Sequence, residues 1–194
     1  DGMVARLLKV HSKLGAELDS LADVVTFGVV PAYMAFSILQ TFEIPFLFPY
    51  LAFSLAIFSA VRLAKFNLDN RQTDNFIGLP TPANALFWAS LPLIKWQIEG
   101  TYALFPFSIH VLEEILFNPW ILIIVILVFS YLMVSEIPLM SLKIKSLKFA
   151  RYPHLFLFLL ASLILILFLY FAAVPFILLL YFTFSFVKYT TSPS

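Results

Sequence analysis

The residues near the start of the chain with the types and spacing for phosphate and metal chemistry are Asp1, Arg6, Asp19 and Asp23, in DGMVARLLKVHSKLGAELDSLAD. Asp19 and Asp23 stand four apart, so on a helix they share a face, and Gly15 one turn earlier clears space above them. Three gathered carboxylates repel one another unless a cation stands among them. Hard divalent ions such as Mg²⁺ take oxygen ligands and share them with substrate phosphates. Gly2, Ala5 and Gly15 are small enough to let a charged ligand approach closely, and Arg6 offers that ligand a cationic fork. The segment therefore predicts a metal and phosphate site, with Asp1, Asp19 and Asp23 as its carboxylates.

The elements that must position these groups are membrane helices. The composition is 62% hydrophobic and 12% charged, with 23 Phe and a mean hydropathy of +0.98, which no ordinary soluble domain shows. The pattern predicts an all-α, polytopic transmembrane bundle: a partial helix over 1–13, then about six full spans near 15–39, 46–64, 83–98, 120–140, 155–172 and 176–187. Without cysteine, disulfides and thiolate chemistry are excluded. The net charge of +1 gives no reason to expect a nucleic-acid partner.

Eleven of the twelve Lys and Arg lie in four places, 6–13, 62–71, 143–151 and Lys188, separated from one another by pairs of spans. All four groups are thus expected on one side, which the positive-inside rule makes cytoplasmic. Intramembrane or interfacial carboxylates at that side are costly, about 2.5 to 3.5 kcal/mol each near a helix centre and less toward the interface, and mark function. Arg62, Lys65 and Asn67, at the end of the 46–64 span, face the same side and are candidates to bind an anionic group. Arg62 and Lys65 equally fit ordinary cytoplasmic topology anchors.

Asp1, Gly2, Ala5, Arg6, Gly15, Asp19 and Asp23 together resemble the signature of the CDP-alcohol phosphatidyltransferases, D-x2-D-G-x2-A-R-x8-G-x3-D-x3-D, from its second aspartate onward. By that pattern a first aspartate is expected three positions ahead of Asp1, so the chain reads as incomplete at its amino terminus. DSLADVVTFGVVPA (19–32), RLAKFN (62–67), FIGLPTPAN (76–84) and VSEIPLMSLKIK (134–145) resemble the membrane-embedded phosphatidylserine synthases of bacteria and archaea. The resemblance divides the chain into a catalytic membrane domain over 1–145 and two additional helices over 146–194.

The resemblance implies transfer of a phosphatidyl group from CDP-diacylglycerol to L-serine with release of CMP, in phospholipid biosynthesis. It implies Asp1 and Asp19 as ligands of Mg²⁺ or Mn²⁺, and Asp23 as general base touching a metal. Gly2, Ala5, Arg6 and Gly15 would then line the nucleotide and pyrophosphate pocket, and Arg62, Lys65 and Asn67 would hold serine or the lipid phosphate. A multi-pass protein of the cell membrane, with a cytoplasmic active site and a homodimeric assembly, is further implied. Competing readings are a relative that uses glycerol 3-phosphate or inositol phosphate as acceptor, and an ion-coupled transporter. A transporter is expected to show inverted repeats and broken half-helices, which the sequence lacks.

Overall fold

The computed structural model describes residues 13–68, 76–100, 109–140 and 153–191. It is an all-helical bundle with one very short pair of strands. The first helical rod is continuous: α1 (Lys13–Val24) passes through a π-turn (Val25–Val29) into α2 (Val30–Leu39). Pro31 cannot donate a backbone hydrogen bond. The turn before it is widened, with the Val30 N–H reaching back to the Val25 carbonyl.

A 3₁₀ segment (Phe48–Phe53) leads into α3 (Ser54–Leu68). After β1 (Phe76–Ile77) comes α4 (Thr81–Glu99), which starts on Pro80 and Pro82, where absent N–H groups cost nothing. The short α5 (Ile109–Leu116) precedes α6 (Pro119–Val134), whose first turn is capped by the Asn118 side chain accepting from the Trp120 and Ile121 N–H groups. Strand β2 (Pro138–Leu139) pairs antiparallel with β1.

The chain closes with α7 (Pro153–Leu169) and α8 (Ala173–Thr191), joined by a 3₁₀ turn (Tyr170–Ala172). Tyr170 has φ +50°, and the two helices fold back on one another, with Phe158 packed against Tyr181 and Phe184. Gln97 of α4 fixes this turn by donating to the Leu169 carbonyl (3.1 Å) and accepting from the Phe171 N–H (3.1 Å).

Among the described residues, three apolar stretches are long enough to cross a bilayer: Glu17–Leu39, Phe48–Leu68 and His154–Val187, the last being the folded α7–α8 pair. Pro119–Val134 is a shorter apolar helix. The span expected over 120–140 therefore stops earlier than its hydropathy suggested. Ser135 turns to an extended conformation and Pro138 lies in the short strand that follows.

The buried core runs between helices. Trp88, Leu91 and Ile94 of α4 meet Ala32, Ala35 and Leu39 of α2, and Leu122, Ile126 and Met133 of α6. Alanines on α2 let the backbones approach closely, which matters where lipid offers no hydrophobic drive for helix association. Ser54 and Ser130 add a 2.9 Å hydrogen bond between α3 and α6.

Candidate active site

One end of the bundle gathers most of the polar side chains that the sequence singled out. Asp19 and Asp23 lie one turn apart on α1, just ahead of the π-turn, and Gly15 lies a further turn back. Asp19 is exposed and Asp23 half-buried, and the two carboxylates are near enough to repel. Next to them, Asn67 at the end of α3 donates to the Ser20 hydroxyl (3.0 Å). That bond ties the carboxylate-bearing turn of α1 to the end of α3. Asp1, Gly2, Ala5 and Arg6 lie outside the described residues.

The three α3 candidates have different surroundings. Lys65 is exposed and donates to the Val134 carbonyl at the end of α6 (3.3 Å). Arg62 is only 7% exposed, and its Nε and Nη2 have no hydrogen-bond partner among the described residues. Those two nitrogens form one edge of the guanidinium, the edge that receives a carboxylate or phosphate through two parallel hydrogen bonds. A buried cation left without acceptors is expensive. Burial with that edge free is the geometry of a site awaiting an oxyanion. One turn earlier on α3, Ser59 is also buried without a partner, opposite Gly28 of the π-turn.

The wall beside α3 is built from the segment after α6. Gly78 and Leu79 donate to the Ile137 and Leu132 carbonyls (both 2.9 Å), fastening the loop before α4 onto the end of α6. The start of α1, the ends of α3 and α6 and the start of α4 thus meet at one end; most of the basic residues grouped by the sequence, 6–12, Arg71 and 143–151, lie outside the described residues.

Ser20, Ser59 and the α8 side chains Tyr181 and Ser185 belong to this region but escaped the sequence reading. No local pattern flags them. What they face stands tens of residues away in the chain, and only the packing of helices brings them together.

The described residues contain no cluster of three or more metal-ligating side chains, and the third carboxylate expected from the sequence, Asp1, is not among them. The donor chemistry nevertheless fits a hard divalent ion. Asp19 and Asp23 present only carboxylate oxygens, on a face that also carries Gly15, and no thiolate or imidazole competes in α1.

A family model described as CDP-alcohol phosphatidyltransferase matches residues 1–112. Among curated proteins, the chain is 37% identical over 137 residues to the CDP-diacylglycerol–serine O-phosphatidyltransferase of Bacillus subtilis, covering 71% of this chain and 64% of that one. It is 42% identical over 92 residues to the Helicobacter pylori (strain 26695) protein of the same name, covering 44% of this chain and 37% of the relative. With the Methanocaldococcus jannaschii protein of that name the identity is 42% over 94 residues, covering 44% and 40% of the two chains. The chain thus spans between about a third and two thirds of the length of these relatives.

Proposed function

Because the chain belongs to the CDP-alcohol phosphatidyltransferase family, we propose that it transfers the phosphatidyl group of CDP-diacylglycerol to L-serine, giving phosphatidylserine and CMP. The observation that carries this reading is the placement of Asp19 and Asp23 beside the end of α3, where Arg62 holds a buried, unfilled oxyanion fork. The names of the relatives support serine as the acceptor.

In this reaction the serine hydroxyl oxygen bonds to the phosphatidyl phosphorus as the bond from that phosphorus to the CMP oxygen breaks. The hydroxyl proton passes to the Asp23 carboxylate, and CMP departs with the electron pair. Asp23 suits the base because it lies one turn deeper than Asp19, where a lipid and a water-borne alcohol must meet. Asp1 and Asp19, with Asp23 at the edge, would hold Mg²⁺ or Mn²⁺. A divalent ion held by these carboxylates would supply positive charge against the pyrophosphate and the leaving CMP oxygen.

Gly2, Ala5, Arg6 and Gly15 form the nucleotide and pyrophosphate side of the pocket in this reading. Arg62 takes the serine carboxylate or the lipid phosphate through Nε and Nη2, while Lys65 supplies a second positive charge. Asn67 holds the acceptor wall to α1 through Ser20. We further infer about six membrane crossings, basic loops on the cytoplasmic side of the cell membrane, and a homodimer.

The test uses the full-length protein in liposomes with CDP-diacylglycerol and Mg²⁺ or Mn²⁺. CMP release should require both serine and the metal, and should stop on chelation. Release driven by glycerol 3-phosphate and indifferent to serine would overturn the acceptor. Asp23→Asn should lower turnover by about 10²- to 10⁴-fold, the usual worth of a positioned general base, while sparing binding of the CDP-lipid. Unchanged turnover would remove Asp23 from that role.

A further inference from the structure

The last helix, α8, lies outside the matched family domain, yet it reaches the acceptor wall. Tyr181 and Ser185 stand four apart and share a face of α8. Together they grip both backbone polar atoms of one residue: the Met140 N–H donates to Ser185 Oγ (3.0 Å), and the Tyr181 hydroxyl donates to the Met140 carbonyl (2.9 Å). Met140, Tyr181 and Ser185 are all buried, so no water competes for these bonds.

Met140 ends the 135–140 strap. That strap pairs with β1 and follows directly on Val134, whose carbonyl receives Lys65. Lys65 of α3 is therefore tethered next to a layer that α8 holds in position.

We propose that Tyr181 and Ser185 are positioning residues for the acceptor site, clasping the strap so that Lys65 stays aimed at the anionic group of the acceptor. The inference rests on the acceptor reading given above, in the form where the α3 cations meet the serine carboxylate. It assigns the terminal hairpin a share in acceptor binding beyond membrane anchorage.

The variants are Tyr181→Phe, which keeps the ring packing on Phe158 and Phe182, and Ser185→Ala, in the full-length protein. Each should raise the KM for serine by about 2- to 10-fold, the range for one lost hydrogen bond, with kcat and the KM for CDP-diacylglycerol unmoved. Ser185→Thr keeps the hydroxyl and should restore the serine KM. Its extra methyl has room, because Ser185 borders a cavity of about 440 Å³ shared with Leu79, Leu132, Pro138 and Phe182.

Amide hydrogen exchange supplies a readout that needs no turnover: exchange at Met140 should quicken in Ser185→Ala. Unchanged exchange at Met140, or equal rises in both KM values, would overturn the clasp. If the wild type uses another alcohol instead of serine, the acceptor reading falls alone. The clasp is then judged on Met140 exchange and on the KM of the alcohol that is used.

Discussion

Gly78 has φ +71°, and a Cβ built there would lie 2.9 Å from each of the Leu132, Met133 and Ser135 carbonyl oxygens. Backbone on three sides cannot step aside as a side chain could, and the left-handed φ adds strain for any other residue. Gly78→Ala is therefore expected to cost about 1 to 3 kcal/mol, seen as a lowered unfolding midpoint of the detergent-solubilised protein. A midpoint equal to that of the wild type would mean the loop detaches from α6 without penalty. FIGLPTPAN stood out in the sequence by its resemblance; the reason for its glycine was not legible, because the three carbonyls belong to the last turn of α6 and to Ser135 just beyond it, more than fifty residues later. Arg62 shows the same limit. As one cation in RLAKFN it fitted a topology anchor as well as a ligand, and only its burial with an unfilled edge separates the two.

Among the elements, the π-turn between α1 and α2 is the one on which the carboxylates depend. It places Gly28 against α3, where an added Cβ would meet the Ser59 Cβ and Oγ at 3.0 Å. Gly28→Ala should push the two helices apart and destabilise the protein by about 1 to 3 kcal/mol through overpacking. Adding Ser59→Gly removes the opposing atoms. Although that change alone weakens a helix by about 0.5 to 1 kcal/mol, the double variant should be more stable than Gly28→Ala. A purely additive loss in a thermal unfolding series would show that the contact does not govern the pair.

The sequence placed a single span over 15–39, and the helix does run on through Gly28 and Pro31. It could not specify a π-turn, since several local adjustments satisfy the same missing N–H. Helix ends were less legible still. Hydropathy continues past Val134 into Ile137 and Leu139, whereas the backbone there already belongs to the strap.

At the scale of the whole molecule, the charge pattern carried the most information. It paired the 6–13 and 62–71 stretches, and the structure does bring α1 to the end of α3 through Ser20 and Asn67. Sidedness follows from the same grouping and can be measured directly, because the chain has no cysteine to remove first. Leu68 (83% exposed) ends α3 beside the site, and Phe46 (75% exposed) lies in the connection at the opposite end of that helix. In intact cells, an impermeant maleimide should label Phe46→Cys at once and Leu68→Cys only after permeabilisation. The reverse order would invert the orientation.

The grip of Tyr181 and Ser185 on Met140 also sets an order of events during synthesis. A chain leaves the ribosome from its amino terminus, so the carboxylates of α1 are made long before the last helix exists. The polar atoms of Met140 have no α8 side chains to meet until the hairpin has turned at Tyr170 and its second arm has entered the bilayer. If the proposed clasp holds the acceptor wall, that wall matures after the acids, and a nascent chain halted before α8 carries its acids with the polar atoms of Met140 still unmet.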